Sequence, residues 1–373
     1  MRPQRWRRWL ANLSLALVST LLMLSLGELA LRLFYPQQLG VWHQTRDGLA
    51  IHRPNSTINF LNHKIQINSL GMRDRDHAVK KKEGTFRILL LGDSYMEALQ
   101  VPFDESFPKL LEDRLRESGV QAVEVVNAAV SGWGTEDELA YLTRYGKHLE
   151  PDLILVAMTL HNDVSDNMRE QFYTLMDGRL QARPVRETPT IEHLMLQVKG
   201  FIASHSHLSQ LWRKYWYRRD IQNSGRLLNH HVANLLSGAD TENMARGWQL
   251  TFEELRAIKT EGAGIGAEMA VVLIPLSLQL SNDKMVKLVA QNNISRQDTS
   301  YRRPQDMMIK FGTTEGLETI DMLPTFREWE EKRHEQLYLE ADGHWNSNGH
   351  RLAADQIASE LLRRRLLKSH RVQ

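Results

Sequence analysis

Four short apolar runs, none of which alternates polar and apolar residues, limit the folds that this chain can adopt. They are Phe86–Leu91, Ala122–Val126, Leu153–Met158 and Ala270–Ile274. Such runs are typical of strands buried on both faces, as in a parallel sheet with helices on either side. Apolar residues between the runs recur at helical spacing, as at Leu111 and Leu115. The alternation predicts an α/β fold, a three-layer α/β/α sandwich around a mainly parallel sheet.

The C-terminal part of the chain continues this pattern. Residues 320–324 indicate the end of a last short strand, and a final helix is predicted to bury Leu352, Ile357 and Leu361. An α/β domain that begins at the first strand therefore extends to the end of the chain.

The composition is that of an ordinary globular protein and excludes several kinds of site. Of the 373 residues, 42% are hydrophobic and 25% are charged, and the formal net charge is +2. Such a small charge gives no indication of nucleic-acid binding. The absence of cysteine excludes disulfides, cysteine-ligated zinc and a thiol nucleophile. The 15 histidines lack the His-Glu-x-x-His spacing of a zinc site, so we expect no metal and no other cofactor.

The first 35 residues predict a membrane anchor. Four arginines among the first eight residues precede the largely apolar stretch Trp9–Gly27. A span of about 18–20 apolar residues is long enough to cross a bilayer, whereas the core of a signal peptide usually has about 7–15. The arginines are expected to stay in the cytoplasm, which places the rest of the chain outside the cytoplasmic (inner) membrane; this is the periplasm if the cell is Gram-negative. A cleaved signal peptide is the alternative.

We therefore predict three parts: the arginine cluster and anchor in residues 1–35, a polar leading segment in 36–85, and the main domain in 86–373. A mostly helical insertion at about 168–242 interrupts the main domain and contains an aromatic and basic stretch at 212–219. This stretch is consistent with a helix on a lipid surface. It is equally explained by a helix with one face packed and the other solvated, the interpretation that we favour.

Polar residues follow the ends of the predicted strands, where α/β folds bind ligands. Ser94 follows the first strand in Gly92-Asp93-Ser94, a glycine-containing loop follows the second, and Asn162 follows the third. Asp342 and His344 lie two residues apart near the C-terminus. These residues would supply acyl transfer with a hydroxyl nucleophile, a base, a carboxylate that orients the base, and oxyanion donors.

Four such blocks, in this order over residues 86–365, resemble the SGNH (GDSL-type) hydrolase family. The resemblance implies that Ser94 is the nucleophile, His344 the base and Asp342 the carboxylate partner of the base. It also implies an oxyanion hole formed by the backbone N–H groups of Ser94 and Gly132 and by the side-chain amide of Asn162. Within the family, the anchor, the Asn68–Arg73 turn and the His344-Trp345 pair are similar to a membrane-anchored bacterial branch that includes proteins of polysaccharide O-acetylation.

The chain departs from the common family pattern at three places. The aspartate usually stands three residues before the histidine, whereas Asp342 stands two before it, as in the O-acetylation relatives; Glu340 is the substitute candidate. Leu160 occupies a position that is usually glycine, and the neighbouring His161 is interpreted either as a pocket residue or as structural. Ala98 stands near the position of a block I glycine.

Several further residues have both a functional and a structural interpretation. The candidate pocket residues are Tyr95, Trp133, His161 and Trp345, whose rings would contact or stack on a sugar unless they serve core packing instead. Asp93, Asp163 and Asp321 are expected to fix turns through backbone hydrogen bonds, and His350 to help start the last helix.

The sequence thus predicts a membrane-anchored extracytoplasmic serine esterase or O-acyltransferase that acts through an acyl-enzyme. The resemblance favours acetylated cell-envelope or secreted glycans as substrates. Water as the acyl acceptor would make an esterase and a sugar hydroxyl a transferase, and the residues do not choose between them. The alternative is a non-catalytic envelope protein that keeps the fold as a glycan-binding or assembly module. Protein partners and oligomeric state stay open.

Overall fold

The computed structural model describes residues 3–37, 39–40, 42–45, 47–60, 63–184, 190–216, 232, 234–236, 242–291, 300–340 and 343–368. The predicted triad member Asp342 and part of the predicted insertion lie outside these residues.

The strands, numbered along the chain, are β1 (Trp42–Gln44), β2 (Ala50–His52), β3 (Thr57–Phe60), β4 (His63–Gln66), β5 (Phe86–Gly92), β6 (Val123–Asn127), β7 (Leu153–Thr159), β8 (Tyr173–Met176), β9 (Arg179–Ala182), β10 (Glu268–Ile274) and β11 (Glu318–Asp321). The α-helices are α1 (Pro3–Phe34), α2 (Ser94–Glu97), α3 (Phe107–Glu117), α4 (Thr135–Arg144), α5 (Asp163–Asp166), α6 (Thr190–His205), α7 (described over 207–216), α8 (Glu242–Gly264), α9 (Asn282–Gln291), α10 (Arg303–Glu315), α11 (Leu323–Arg333) and α12 (Ser347–Arg363).

A five-stranded sheet in the order β11-β10-β7-β5-β6 forms the centre of the fold. All four neighbouring pairs are parallel, and Leu90 of β5 lies opposite Asn127 on one side and Leu155 on the other. The chain runs from β5 to β6 on one side and then to β7 on the other. This reversal opens a crevice at the carboxyl ends of β5 and β7, the place where such sheets bind ligands.

Both faces of the sheet are covered, which explains the absence of alternation in its strands. Ile88 and Leu90 pack in the hydrophobic core that α3 and α12 cover. Leu89 and Leu91 pack in a second core, on the opposite face, with residues of α4 and α8. The predicted three-layer α/β/α fold with a mainly parallel sheet is confirmed.

The leading segment contains strands that its sequence does not indicate. β1 and β2 form one antiparallel pair, and β3 and β4 form another. Each strand has only three or four residues, too few to establish a period of alternation.

The insertion contains the predicted helices and also a hairpin that we did not predict. β8 and β9 pair antiparallel around Asp177-Gly178, where both residues have positive φ, 51° and 74°. An Asp-Gly pair between two extended segments is a known signal of a hairpin turn. Of the aromatic and basic stretch, residues 212–216 lie in α7, and 217–219 lie outside the described residues.

The N-terminal helix α1 has 32 residues, and its apolar part is exposed to its surroundings. Within the described part of the chain, the segment Trp6–Phe34 is long and apolar enough to cross a membrane. A signal sequence near the N-terminus can meet the same criterion.

Candidate active site

The structure brings together Ser94 and His344, which are 250 residues apart in the sequence. Ser94 Oγ and His344 Nε2 lie 2.8 Å apart, at hydrogen-bond distance. Both residues are partly exposed. A serine hydroxyl in contact with an imidazole nitrogen is the geometry in which the imidazole takes up the hydroxyl proton.

A sharp turn from β5 into α2 presents Ser94 at the carboxyl edge of the sheet. Asp93 caps α2, since its Oδ1 accepts a hydrogen bond from the Tyr95 N–H at 3.0 Å. A Cβ at Gly92 would come within 2.8 Å of Met96 Cγ, so glycine is needed for this close approach. The helix ends after one turn, at Ala98, whose φ of 56° is left-handed.

The carboxylate of Asp93 ties the loop after β7 to this turn. Asn162 Nδ2 donates to Asp93 Oδ2 at 3.1 Å and lies 3.4 Å from Asp166 Oδ2. Burial raises the pKa of Asp93. The hydrogen bonds from Tyr95 and Asn162 and the nearby charge of His344 act to lower it, but burial outweighs them. The side-chain amide that the sequence predicts as an oxyanion donor is thus held beside the residue that precedes Ser94.

A second buried carboxylate, that of Glu97, ties the loop after β6 to the same helix. Its Oε2 accepts hydrogen bonds from the Ser131 N–H at 2.7 Å and from the Ser131 hydroxyl. Its Oε1 lies 2.6 Å from Nε2 of His52, and the other ring nitrogen of His52 lies 3.1 Å from the Gly71 carbonyl oxygen. The leading segment therefore reaches the loop of Gly132 through one buried chain of contacts.

The predicted oxyanion donor Gly132 follows Ser131 directly. It is exposed and has a φ of 81°, a conformation that glycine adopts without strain. A Cβ added there would meet no described heavy atom within 4 Å, so glycine is required by the backbone conformation and not by crowding.

His344 is held by the loop that precedes α12. The Tyr95 hydroxyl donates to the Gly343 carbonyl at 2.8 Å, and the Tyr95 ring lies 5.1 Å from the His344 ring. Asn346 caps α12 by accepting from the N–H groups of Asn348 and Gly349. Helix α2 therefore supplies the serine and, through Tyr95, a support for the histidine.

The four candidate pocket residues differ in exposure. Trp133 is 1% exposed and donates from Nε1 to the Ala50 carbonyl at 2.7 Å, and Trp345 is 0% exposed. Tyr95 is buried as well, whereas His161 is partly exposed. Because a buried ring cannot stack on a sugar, the interpretation of Trp133 and Trp345 as substrate-contacting residues is wrong; they pack in the core.

The residues that we expected to fix turns do so. Asp163 Oδ2 accepts from the Thr159 N–H at 2.8 Å, and Asp321 Oδ1 from the Leu323 N–H at 2.9 Å. His350 is buried in the first turn of α12, where its Nδ1 accepts from the Phe107 N–H at 3.3 Å. Glu340, the substitute for Asp342, is exposed and accepts from Gln336 at 2.8 Å.

Sequence reasoning missed the buried acids around the site. Glu138 and Glu254 are buried. Burial, the larger cause, and the negative charge of neighbouring carboxylates raise the pKa of Glu138. Burial likewise raises the pKa of Glu254, although Thr135 donates a hydrogen bond to it. No spacing in the sequence distinguishes these acids from the solvent-exposed acids of other helices. Among the described residues, no group of three or more histidine or acidic side chains is arranged to hold a metal ion.

Arg73 is a further residue whose importance the sequence did not indicate. Its buried guanidinium donates to the carbonyl oxygens of Glu97 at 2.8 Å and Val101 at 2.7 Å, and also to that of Ala98. It thereby binds the carbonyl end of the turn that carries Ser94. The Asn68–Arg73 turn, noted only as a resemblance, is part of the support of the site.

Comparison with known proteins gives one family match. Residues 237–373 match the model of the SGNH hydrolase-like domain of the acetyltransferase AlgX. A curated arylesterase of Vibrio mimicus is 40% identical over 72 residues, which are 19% of this chain and 36% of that protein. The chain thus matches about a third of the length of this relative.

The solved structures that match this chain have little sequence identity to it. A lipase/acylhydrolase from Enterococcus faecalis is 15% identical, with a TM-score of 0.38 over 77% of this chain and 100% of its own. A catalytic mutant of an acetylxylan esterase from Geobacillus stearothermophilus is 12% identical, with a TM-score of 0.40 over 75% of this chain and 96% of its own. Residues 237–373 are therefore similar to the SGNH hydrolase-like domain of the acetyltransferase AlgX, and the chain as a whole has an α/β fold around a parallel central sheet.

Proposed function

We propose that the protein is a membrane-anchored extracytoplasmic enzyme that transfers acyl groups through an acyl-serine, either to water as an esterase or to a sugar hydroxyl as an O-acyltransferase. The observation that carries the proposal is the 2.8 Å contact between Ser94 Oγ and His344 Nε2 at the carboxyl edge of a parallel sheet. The match to an acetyltransferase domain favours acetyl esters as substrates.

In the first half of the reaction, His344 Nε2 takes the proton of the Ser94 hydroxyl as Oγ attacks the ester carbonyl carbon. A C–O bond forms, and the carbonyl oxygen becomes an oxyanion. Collapse of this intermediate breaks the bond to the alcohol, which leaves with the proton from His344. In the second half, His344 deprotonates water or a sugar hydroxyl, which attacks the carbonyl carbon of the acyl-serine. The bond from this carbon to Ser94 Oγ then breaks, and Oγ takes up the proton from His344.

The proposed oxyanion hole consists of the N–H groups of Ser94 and Gly132 and the amide of Asn162. Two observations support it: Asp93 holds Asn162 beside the turn of Ser94, and Glu97 holds Ser131, the neighbour of Gly132, against the same helix. We propose Asp342 as the carboxylate that orients His344 and stabilises the imidazolium, as the family resemblance implies.

The proposed setting is the outer face of the cytoplasmic membrane, with α1 as an uncleaved single span and the arginine cluster inside. Contacts of α1 with the rest of the protein support its retention, since Glu28 accepts hydrogen bonds from the N–H groups of His207 and Leu208, both at 2.9 Å. From this position the domain would reach acetylated glycans of the cell envelope. We propose that the chain is divided into the anchor, the leading segment and the hydrolase-like domain with its insertion.

A serine-directed fluorophosphonate probe tests the proposal on the full chain in detergent. We expect labelling of the native protein, loss of labelling in Ser94→Ala, and strong reduction in His344→Ala. Ser118→Ala is the matched control, because this serine only caps α3 through the Arg114 carbonyl. Turnover of p-nitrophenyl acetate should fall by at least roughly 10³-fold in Ser94→Ala. Equal labelling and turnover of the native protein and Ser94→Ala would favour a non-catalytic binding module.

The choice between esterase and transferase requires an acceptor experiment. The native protein would be incubated with an acetyl donor and a glycan oligosaccharide, and acetylated sugar and free acetate would be measured together. Acetylated sugar that depends on Ser94 indicates a transferase, and free acetate alone indicates an esterase.

A further inference from the structure

The outward face of the insertion helix α6 carries an uninterrupted apolar stripe. Its residues are each between 45% and 74% exposed: Ile191, Leu194, Met195, Val198, Phe201 and Ile202. Their spacing of three and four places all of them on one side of the helix, within about a third of its circumference. Such a stripe normally faces a protein core, whereas here each of its side chains is about half exposed or more.

The next helix repeats the arrangement with aromatic residues. Trp212, Tyr215 and Trp216 lie on one side of α7 and are between 48% and 68% exposed. Residues 190–216 contain one acidic residue, Glu192, against the basic Lys199, Arg213 and Lys214. Exposed aromatic residues interspersed with basic ones are typical of protein surfaces that contact lipid headgroups.

Hydrogen bonds hold the junction of these two helices to the end of the anchor. Arg32 donates to the His205 carbonyl at 2.6 Å, and Glu28 accepts from the His207 and Leu208 N–H groups. The apolar stretch Trp9–Gly27 would span about 28 Å as a helix, close to the hydrocarbon thickness of about 30 Å. Glu28 then marks the outer boundary of the hydrocarbon layer, and the α6–α7 junction lies at that level.

A cleft between the helices supports the same placement. It has a volume of about 1470 Å³ and is lined by Leu24 of α1 together with Ile202, Leu211 and Tyr215 of the insertion. Leu24 belongs to the apolar stretch of the anchor, one turn before Glu28. The cleft therefore opens at the depth of the outer lipid leaflet and contains no candidate active-site residue.

We infer that α6 and α7 form a second membrane contact, in which the stripe of α6 and the aromatic residues of α7 insert into the outer leaflet beside the anchor. This inference rests on the proposed retention of α1 as a membrane span. Two attachments restrict the rotation of the domain about the anchor, whereas a single membrane helix leaves the domain free to rotate. Of the two interpretations given above for the aromatic and basic stretch, the inference favours the helix on a lipid surface for its described residues, 212–216.

Because the chain has no cysteine, single-cysteine labelling tests the inference cleanly. The full chain would be reconstituted in phosphatidylcholine–phosphatidylglycerol vesicles and labelled with NBD in Val198→Cys, Ser118→Cys or Leu17→Cys. Val198 lies in the stripe, Ser118 is an exposed residue at the end of α3 in the main domain, and Leu17 reports on the anchor. Quenching by lipids with a nitroxide near the headgroup or near the chain end gives the depth of each probe.

We expect the headgroup-side nitroxide to quench the Val198 probe several-fold more than the Ser118 probe, and the chain-end nitroxide to quench the Leu17 probe strongly. A quenched Leu17 probe with an unquenched Val198 probe overturns the inference and leaves the anchor standing. A Val198 probe that is blue-shifted but unquenched also overturns it, in favour of a second copy or another protein on this face. If no probe is quenched, the proposal that α1 spans the membrane is wrong, and the inference that rests on it is wrong as well. Turnover of p-nitrophenyl acetate in the same vesicles reports separately on the proposed catalytic site.

Discussion

At the scale of single residues, the candidate site depends on two carboxylates that do not belong to the proposed triad. Asp93 holds Asn162 and Glu97 holds Ser131, so each of the two loops that carry a proposed oxyanion donor is tied to the short helix of Ser94. The two acids stand immediately before and three residues after the serine. One helical turn thus organises the nucleophile and the loops around it.

Replacement of Asn162 by alanine tests the role of its amide. Removal of one oxyanion donor typically lowers kcat by about 10²–10³-fold, because the donor acts on charge that develops in the transition state. We expect that loss in Asn162→Ala with little change in KM, measured with p-nitrophenyl acetate. Ser165→Ala, which removes only the hydrogen bond from the Ser165 hydroxyl to the Asn162 carbonyl, is the control for general disturbance of the loop. An unchanged kcat in Asn162→Ala would show that the amide takes no part.

Glu97 is predicted to be a positioning residue. Burial acts to raise its pKa, but the charge of His52 and the hydrogen bonds from His52 and Ser131 outweigh burial and lower the pKa. Glu97→Gln keeps the shape and removes the charge, and we expect a fall of about 10-fold in kcat with KM retained, since a buried charge-assisted contact contributes about 1.5–3 kcal/mol.

The double variant with His52→Gln separates positioning from loss of folding. If Glu97 and His52 act as one unit, their effects on kcat will not multiply. Two independent, fully multiplicative effects, or a loss of kcat that merely follows the loss of folded protein in circular dichroism, would contradict the positioning role.

At the scale of secondary structure, the contact between α12 and α3 fixes the C-terminal part of the site. His350 lies in the first turn of α12 and accepts a hydrogen bond from the first residue of α3. The same short segment contains His344, so the start of α12 determines where the proposed base stands. Burial, with Arg73 and His344 nearby, lowers the pKa of His350 to about 3.

This shift predicts a specific loss of stability in acid. His350 is neutral in the folded protein, whereas the unfolded chain takes up a proton there below its ordinary pKa of about 6.5. Stability is therefore lost as the pH falls from 6.5 towards 3, by about 2 kcal/mol at pH 5. Thermal unfolding of His350→Gln should depend less steeply on pH between 6.5 and 4.5 than that of the native protein. Equal slopes would show that His350 is not the responsible group.

At the scale of the whole molecule, buried acids have the opposite effect to His350: they make the protein less stable as the pH rises. Glu254 of α8 is buried against Thr135 of α4, and one of its carboxylate oxygens accepts no hydrogen bond from a described residue. Burial, the main cause, and the nearby Glu136 and Asp137 raise its pKa well above the ordinary value. The helical layer on this face is therefore most stable while Glu254 keeps its proton.

The folded state binds this proton more tightly than the unfolded chain, so stability falls as the pH rises above the ordinary pKa of Glu254. Glu254→Gln keeps an acceptor for Thr135 and removes the titration. We expect the variant to unfold about 2 °C higher than the native protein at pH 8, roughly 1 kcal/mol, with a smaller difference at pH 5. Glu253→Gln, a change at the partly exposed neighbour, should show no such dependence on pH. A lower unfolding temperature for Glu254→Gln at pH 8 would show that the ionised carboxylate is needed.

Different parts of the molecule were predictable to different degrees. The four long apolar strands could be placed to within two residues, because burial on both faces leaves a local signature in the sequence. The helices around them were indicated by the spacing of their apolar residues. The strands β1–β4 were missed because each is too short to show a period. The hairpin β8–β9 was missed although Asp177-Gly178 signals its turn. For Trp133 and Trp345 the sequence left core packing and sugar stacking open, because aromatic residues serve cores and sugar sites equally well, and their burial favours packing.

The sequence by itself determined the α/β class and the order of the four blocks, since both follow from local patterns. It also made Ser94, Gly132, Asn162 and His344 candidates, through their places after the predicted strands and the family resemblance that they carry. Only the tertiary structure decided that Ser94 meets His344, and that His52 and Arg73 of the leading segment support the site. The physical reason is that these contacts join residues far apart in the chain. Which residues contact each other depends on the pairing of buried charges and on the close packing of loops, and neither produces a periodic pattern in the sequence.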